Sequence, residues 1–196
     1  MNKIKVGILG ATGMVGQNYL RLLQNHPWFE VVDLGASSNS AGKTYSGVVS
    51  EKWLMDEEIP EKYSDFIVRD VRNFDDIPTD VQLFFSALDL ENKESTRNFE
   101  FSYAEKGYAV VSNSSANRWT DDVPMIIPEI NPHHAKIISF QQLNRNLPKT
   151  GFVAVKPNCS IQSYLIGLVA LQKVGFSVKD VQVTTLQALS GAGAKG

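Results

Sequence analysis

Short apolar runs alternate with longer amphipathic stretches along most of the chain. Ile4-Lys5-Val6-Gly7-Ile8-Leu9 reads as a buried strand, and a helix continues beyond it to about Gln24. Glu30 to Ala36 is a second strand. From Tyr45 to Asp80 the pattern is irregular: Trp53 and Leu54 suit packing under a loop, and Phe66-Ile67-Val68 is a short strand candidate. Val81-Gln82-Leu83-Phe84-Phe85 is a clearer buried strand ending at Ser86, followed by a polar helix over about Leu90 to Lys106. Tyr108-Ala109-Val110-Val111 is another strand, closing at Ser112-Asn113-Ser114-Ser115. Further on, the pattern predicts a helix over Ile137 to Leu147 and a strand at Phe152-Val153-Ala154-Val155. A helix from Ser160 to Val174 and a long strand from Val178 to Leu189 complete the chain. Strands alternating with helices, with small polar residues at the strands' C-terminal ends, predict an α/β fold on a doubly wound parallel sheet. Ligands on such sheets bind at those ends.

Composition narrows the functional classes. The 196 residues, 43% of them hydrophobic, suffice for a packed core. A net charge of -2 carries no basic excess and argues against a dedicated nucleic-acid binder. The single cysteine excludes an internal disulfide framework and a cysteine-rich metal site, and no other metal site is expected. The chain opens without a signal-peptide pattern, and no apolar run approaches the length of a membrane span. A soluble cytoplasmic protein with no membrane partner is therefore expected.

The first strand runs into Gly10-Ala11-Thr12-Gly13-Met14-Val15-Gly16, and strand, glycine turn, helix is the order that a dinucleotide site requires. Gly10 would permit the tight turn, Gly13 would let a pyrophosphate approach the backbone, and Gly16 would let the helix pack close to the strand. The helix N-terminus would face the phosphates. The same glycines also suit a plain tight turn; their place at the first strand–helix junction favours a Rossmann-like cofactor site. The second strand is followed by Ser37-Ser38-Asn39-Ser40-Ala41-Gly42-Lys43, with no acid to bind ribose hydroxyls, and Asp33 lies too early for that role. Hydroxyls, amides and one lysine suit a 2'-phosphate, so NADP is expected and NAD is the lesser alternative. The other reading is a polar loop whose serines satisfy their own backbone.

Cys159 sits in Lys156-Pro157-Asn158-Cys159-Ser160, where a strand ends and a helix begins. Exposed amides and the positive end of the helix dipole favour a thiolate there, whereas a lone cysteine is otherwise a small buried hydrophobe. Arg118 follows a strand end, where a guanidinium can clamp a phosphate or carboxylate or simply lie on the surface. His26, His133 and His134 have no partner at metal-ligand or triad spacing and read as surface or structural. Val123 to Pro132 carries three prolines and reads as a crossing between domains. It divides the chain into a dinucleotide-binding domain over 1–130 and the start of an α+β catalytic and dimerisation domain over 131–196.

Taken together, five motifs resemble the aspartate-semialdehyde dehydrogenase family, most of all its archaeal and fungal branch. They are Gly10-Ala11-Thr12-Gly13-Met14-Val15-Gly16, Ser40-Ala41-Gly42-Lys43, Ser112-Asn113-Ser114-Ser115, Pro157-Asn158-Cys159-Ser160 and Thr185-Leu186-Gln187-Ala188-Leu189-Ser190-Gly191-Ala192-Gly193. In order, they cover essentially the whole chain. The resemblance implies an NADPH-dependent oxidoreductase that converts L-aspartyl 4-phosphate to L-aspartate 4-semialdehyde and phosphate, on the path to lysine, threonine and methionine. It implies Cys159 as the nucleophile that forms a thioacyl intermediate, with Asn158 helping to hold the reacting carbonyl. Gln187 resembles the glutamine that orients the substrate, and Arg118 the arginine that binds the acyl phosphate. Gly10, Thr12, Gly13, Met14 and Val15 fall in the implied cofactor loop and Ser37 and Ser40 in the 2'-phosphate loop, with Ser86, Ser190 and Gly191 also on the cofactor side. A homodimer or homotetramer is implied for the complete family member.

The chain departs from the family pattern in places. Asn39 stands where the family usually has an arginine, and Ala194-Lys195-Gly196 where it commonly reads Tyr-Pro-Gly. The family's acid/base histidine and carboxylate-gripping arginine have no counterpart here, so this chain alone is expected to bind cofactor and to be inactive. Within the superfamily, malonyl-CoA reductase and N-acetyl-glutamyl-phosphate reductase are rivals, the latter tending to Gly-Cys-Tyr-Pro against Asn158-Cys159-Ser160 here. A rival of another class is a non-catalytic nucleotide-binding or partner-binding protein.

Overall fold

The computed structural model describes residues 2–186. Among them six strands form one parallel sheet: β1 (Ile4–Leu9), β2 (Phe29–Ala36), β3 (Arg69–Asp70), β4 (Leu83–Ser86), β5 (Ala109–Ser112) and β6 (Phe152–Val155). The spatial order is β3-β2-β1-β4-β5-β6. It reverses between β1 and β4, so the crevice at the carboxyl ends of those two strands is the topological switch point where such sheets bind ligands. The helices are α1 (Met14–Leu23), α2 (Tyr45–Val49), α3 (Glu61–Ser64), α4 (Lys93–Glu105), α5 (Ile137–Asn144) and α6 (Cys159–Lys173). The doubly wound α/β fold expected from the pattern is the fold found.

Helices on both faces bury the sheet twice over, which is why its strands read as apolar runs rather than as alternations. On one face Leu20 and Leu23 of α1 pack with Val6, Ile8, Val31 and Leu34. On the other, Phe101, Tyr103 and Ala104 of α4 pack with Leu9, Phe84, Val110 and Val153. Between β2 and β3 the buried Arg69 makes two bonds to Asp33, at 2.9 and 2.7 Å, and donates to the Tyr103 hydroxyl. Burial opposes the Arg69 charge, but these partners outweigh it and hold the guanidinium above its ordinary pKa. Asp33 is thus engaged inside the sheet.

Three expectations are corrected. The sheet runs past the domain boundary set at residue 130, because β6 lies beyond it and pairs with β5. The proline-bearing segment does not cross between domains but runs along the open edge of β6: Val155 N donates to Pro124 O at 3.0 Å and Ile126 N to Val155 O at 3.0 Å. Buried Gln141 of α5 covers the same edge, bonding both the amide and the carbonyl of Val153, and an edge strand so covered is protected from foreign pairing. Finally, the described part of the expected long strand, 178–186, holds no strand. Its alternation marks a half-buried strand only where a neighbour supplies hydrogen bonds.

Candidate active site

The glycines of the β1–α1 turn serve different ends. Gly10 has φ +80°, and a Cβ there would lie 2.8 Å from the Ala87 carbonyl oxygen. A Cβ on Gly16 would meet Gly10 O at 2.2 Å and Ala11 Cα at 2.6 Å. The fold itself therefore requires both. Gly13 differs: its nearest neighbour would be Gly10 O at 3.6 Å, an ordinary contact. Among the described residues nothing demands a glycine there, and the residue is exposed. Gly13 is also the N-cap of α1, with no side-chain cap bond and no acid in the first turn. An open backbone at an uncapped helix start, flanked by Thr12, Met14 and the 39% exposed Val15, fits a dinucleotide pyrophosphate. Buried side chains brace the turn. Tyr45 Oη donates to Ala11 O at 3.1 Å, and Gln17 Nε2 donates to Thr12 O at 3.1 Å and to Lys52 O at 2.9 Å. Sequence reading missed Gln17 and Tyr45; burial of a glutamine on the apolar face of α1 was the available signal.

Beyond β2 the loop closes on its own backbone, since Ser37 O accepts from Ser40 N at 2.9 Å and from Ala41 N at 3.2 Å. Ser37, Ser38 and Lys43 stay exposed, whereas Ser40 is buried. Lys43 Nζ folds back onto Asn39 O at 2.9 Å. At the switch point Ser86 does not offer its hydroxyl to the cleft: the side chain is buried and donates to Glu100 at 2.7 Å. Glu100 itself escaped notice, although it shares a helix face with Thr96, Tyr103 and Ala104, all buried.

Cys159 is the exposed first residue of α6, just beyond the carboxyl end of β6. Asn158 caps the helix, its side-chain oxygen accepting from Ser160 N at 2.9 Å and from the Ser160 hydroxyl. Cys159 Sγ lies 3.9 Å from the same oxygen. Arg118 reaches this region: Nε donates to Lys156 O at 3.2 Å and Nη2 to Asn113 O at 3.4 Å. Lys156, half-buried, was overlooked, although it stands three residues before Cys159. Burial and then the Arg118 charge lower its ammonium pKa, while Cys159 acts in the opposite sense. Two cations and the sulfur thus share one electrostatic neighbourhood. A groove of about 530 Å³ opens beside the sulfur, walled by Ser163 and Tyr164 of α6 and by residues 183–186. Among its described lining residues there is no histidine. Gln187, Ser190 and Gly191 lie outside the described residues. His26 is structural, its Nδ1 accepting from Trp28 N and Phe29 N at 3.2 Å each.

A switch-point crevice, an open glycine cradle heading α1 and an exposed cysteine heading α6 define a Rossmann-type nucleotide-binding domain that leads into a cysteine-bearing segment. A family model, semialdehyde dehydrogenase NAD binding domain, matches residues 5–138, and the chain belongs to this family. It is similar to the aspartate-semialdehyde dehydrogenase of Archaeoglobus fulgidus, 39% identical over 196 residues, covering 99% of this chain and 53% of that protein. It is also similar to the malonyl CoA reductase (NADP) of Metallosphaera sedula, 36% identical over 194 residues, covering 98% of this chain and 51% of that one. In structure it resembles aspartate semialdehyde dehydrogenase with NADP from Candida albicans: TM-score 0.74, 35% identity, 89% of this chain and 48% of that chain. The chain spans about half the length of the curated relatives it matches. Among the described residues no group of three or more His, Cys, Asp or Glu could hold a metal ion, and no helix is long and apolar enough to cross a membrane.

Proposed function

We propose that this chain supplies the NADP-binding half and the nucleophile of an aspartate-semialdehyde dehydrogenase acting on L-aspartyl 4-phosphate. The supporting observation is the exposed Cys159 at the head of α6, on a sheet whose β1 end presents the open Gly13. The Cys159 sulfur adds to the acyl carbon; the C–S bond forms, the acyl C–O bond breaks, and phosphate leaves with the electron pair. Arg118 and Lys156 bring positive charge toward that phosphate. Asn158 and Gln187 hold the carbonyl and orient the amino acid. NADPH, when bound, supplies the hydride that turns the thioester into an aldehyde, and Cys159 then leaves as thiolate.

Gly10, Thr12, Gly13, Met14 and Val15 carry the pyrophosphate, with Ser190 and Gly191 alongside the cofactor. Ser37 and Ser40, with Lys43, form the loop for the 2'-phosphate. In this role the complete enzyme is a cytoplasmic homodimer or homotetramer in lysine, threonine and methionine biosynthesis. With no histidine among the described lining residues of the groove, the 196-residue chain is expected to bind NADPH but to turn over little. Residues 156–196 belong to the catalytic and dimerisation part. Calorimetric titration with NADPH and NADH tests the cofactor assignment: tighter NADPH binding is expected, and failure to bind either one defeats it. The similarity to a malonyl CoA reductase favours one second reading, an acyl-CoA substrate. Incubation with aspartyl phosphate or malonyl-CoA separates the two by which donor acylates Cys159.

A further inference from the structure

A buried glutamate and two buried serines meet beneath the carboxyl ends of β4 and β5, and the chemistry above uses none of them. Ser86 and Ser112 are register partners on neighbouring strands. Glu100 of α4, 0% exposed, accepts from Ser86 Oγ at 2.7 Å and Ser112 Oγ at 2.5 Å on one oxygen, and from Asn117 Nδ2 at 2.8 Å on the other. Each hydroxyl in turn accepts from its own loop, Ser86 Oγ from Leu88 N at 3.4 Å and Ser112 Oγ from Ser114 N at 3.0 Å. Three segments therefore converge on one carboxylate: the loop after β4, the loop after β5, and Asn117 beside Arg118.

Two hydroxyls and an amide all donating inward need a group that accepts on both oxygens, and an ionised carboxylate is that group. Among the described residues no cation pairs with it. Burial pushes the Glu100 carboxyl above its ordinary pKa, and the three hydrogen bonds work against that shift. A buried charge without a cation is a poor source of stability. It is a good source of loop order. The loop after β4 touches the glycine turn, with Ala87 O at 2.8 Å from where a Gly10 Cβ would stand. The loop after β5 receives Arg118 Nη2 on Asn113 O at 3.4 Å.

We infer that Glu100 is a positioning residue, which fixes the strand-end loops of β4 and β5 and the Arg118 segment against the glycine turn for dinucleotide binding. The inference rests on the reading of that crevice as a nicotinamide dinucleotide site. Glu100→Gln replaces the carboxylate by a neutral amide with one acceptor oxygen, so either Asn117 Nδ2 or the two serine hydroxyls face an NH2 where they now meet an acceptor. Ser86→Ala and Ser112→Ala each remove one arm.

The test measures amide hydrogen exchange and NADPH titration on the 196-residue chain and these variants. In Glu100→Gln, exchange at Leu88 and Ser114 rises about tenfold and NADPH affinity falls about tenfold, while amides of β1 and β2 keep their protection. Ser86→Ala loosens Leu88 and Ser112→Ala loosens Ser114, which decides the matter even if Glu100→Gln does not fold. Unchanged exchange at both amides, or a uniform rise across the sheet, overturns the inference. Wild-type chain that fails to bind NADPH overturns the dinucleotide reading, and exchange at Leu88 and Ser114 still decides whether Glu100 holds the loops.

Discussion

At the β1–α1 turn the backbone is clamped from several sides: Gly16 against Gly10 and Ala11, Gly10 against Ala87, and the buried Gln17 and Tyr45 on the turn's carbonyls. At the head of α6 the hydrogen bonds among the described residues are local ones. They include the Asn158 cap, the Arg118 bond to Lys156 O, and Gln162 Nε2 on Pro157 O at 2.9 Å. No residue of α6 is buried, and Ile166 and Leu171 are 41% and 46% exposed. The two parts of the proposed site thus differ in kind. The cradle belongs to a packed core that exists before any ligand arrives, whereas the nucleophile stands on a helix that buries no side chain and that, among the described residues, is tied by hydrogen bonds at its first turn and by Lys173 Nζ on Glu129 O at 3.1 Å. Damage to the clamped glycines of the turn should register as unfolding; damage to the open Gly13 or to the head of α6 should register as lost binding or lost chemistry.

Substitutions can break that contrast, beginning with the strongest. Gly16→Ala drives a Cβ into backbone atoms that cannot yield, and a loss of about 3 kcal/mol or more in denaturant unfolding is expected. Asp122→Asn is next. Its carboxylate is raised by burial, but bonds from Arg145 at 2.6 and 2.8 Å and from Asn144 at 3.2 Å outweigh this and hold it below its ordinary range. A lowered folded pKa gives stability that is full above the unfolded value of about 3.9 and is lost as pH falls through the folded one. Asp122→Asn should therefore lose about 2 kcal/mol at neutral pH and show a flatter acid limb below about pH 4 in urea titrations. Gly13→Ala is the sharpest probe of the cradle, because its Cβ meets nothing closer than 3.6 Å. Stability should hold within about 0.5 kcal/mol while calorimetry finds NADPH bound about tenfold more weakly. Smallest of all, Leu171→Ala on α6 should shift unfolding by less than about 0.5 kcal/mol, because nearly half of the residue is already in water and α6 buries no side chain.

The fold was legible because a sheet buried on both faces writes apolar runs into the sequence, and Ile4–Leu9 and Phe152–Val155 match the expected strands residue for residue. The glycine turn and the cysteine were legible because each motif sits at one strand–helix junction. What stayed hidden depends on pairings distant in sequence. Gln141 completing the edge of β6 and Glu100 gathering Ser86, Ser112 and Asn117 are ordinary polar residues until the chain is folded. The prolines near residue 124 suggested a domain crossing because proline resists strand pairing; here Pro124 contributes only its carbonyl, which a ladder edge can use.

Acylation of the chain by aspartyl phosphate in the absence of NADPH, read by mass spectrometry, tests the nucleophile most directly. The account predicts an aspartyl adduct on the peptide holding Cys159, absent in Cys159→Ser, whose melting temperature stays at the wild-type value. No adduct on the wild-type chain, or an adduct undiminished in Cys159→Ser, would contradict it.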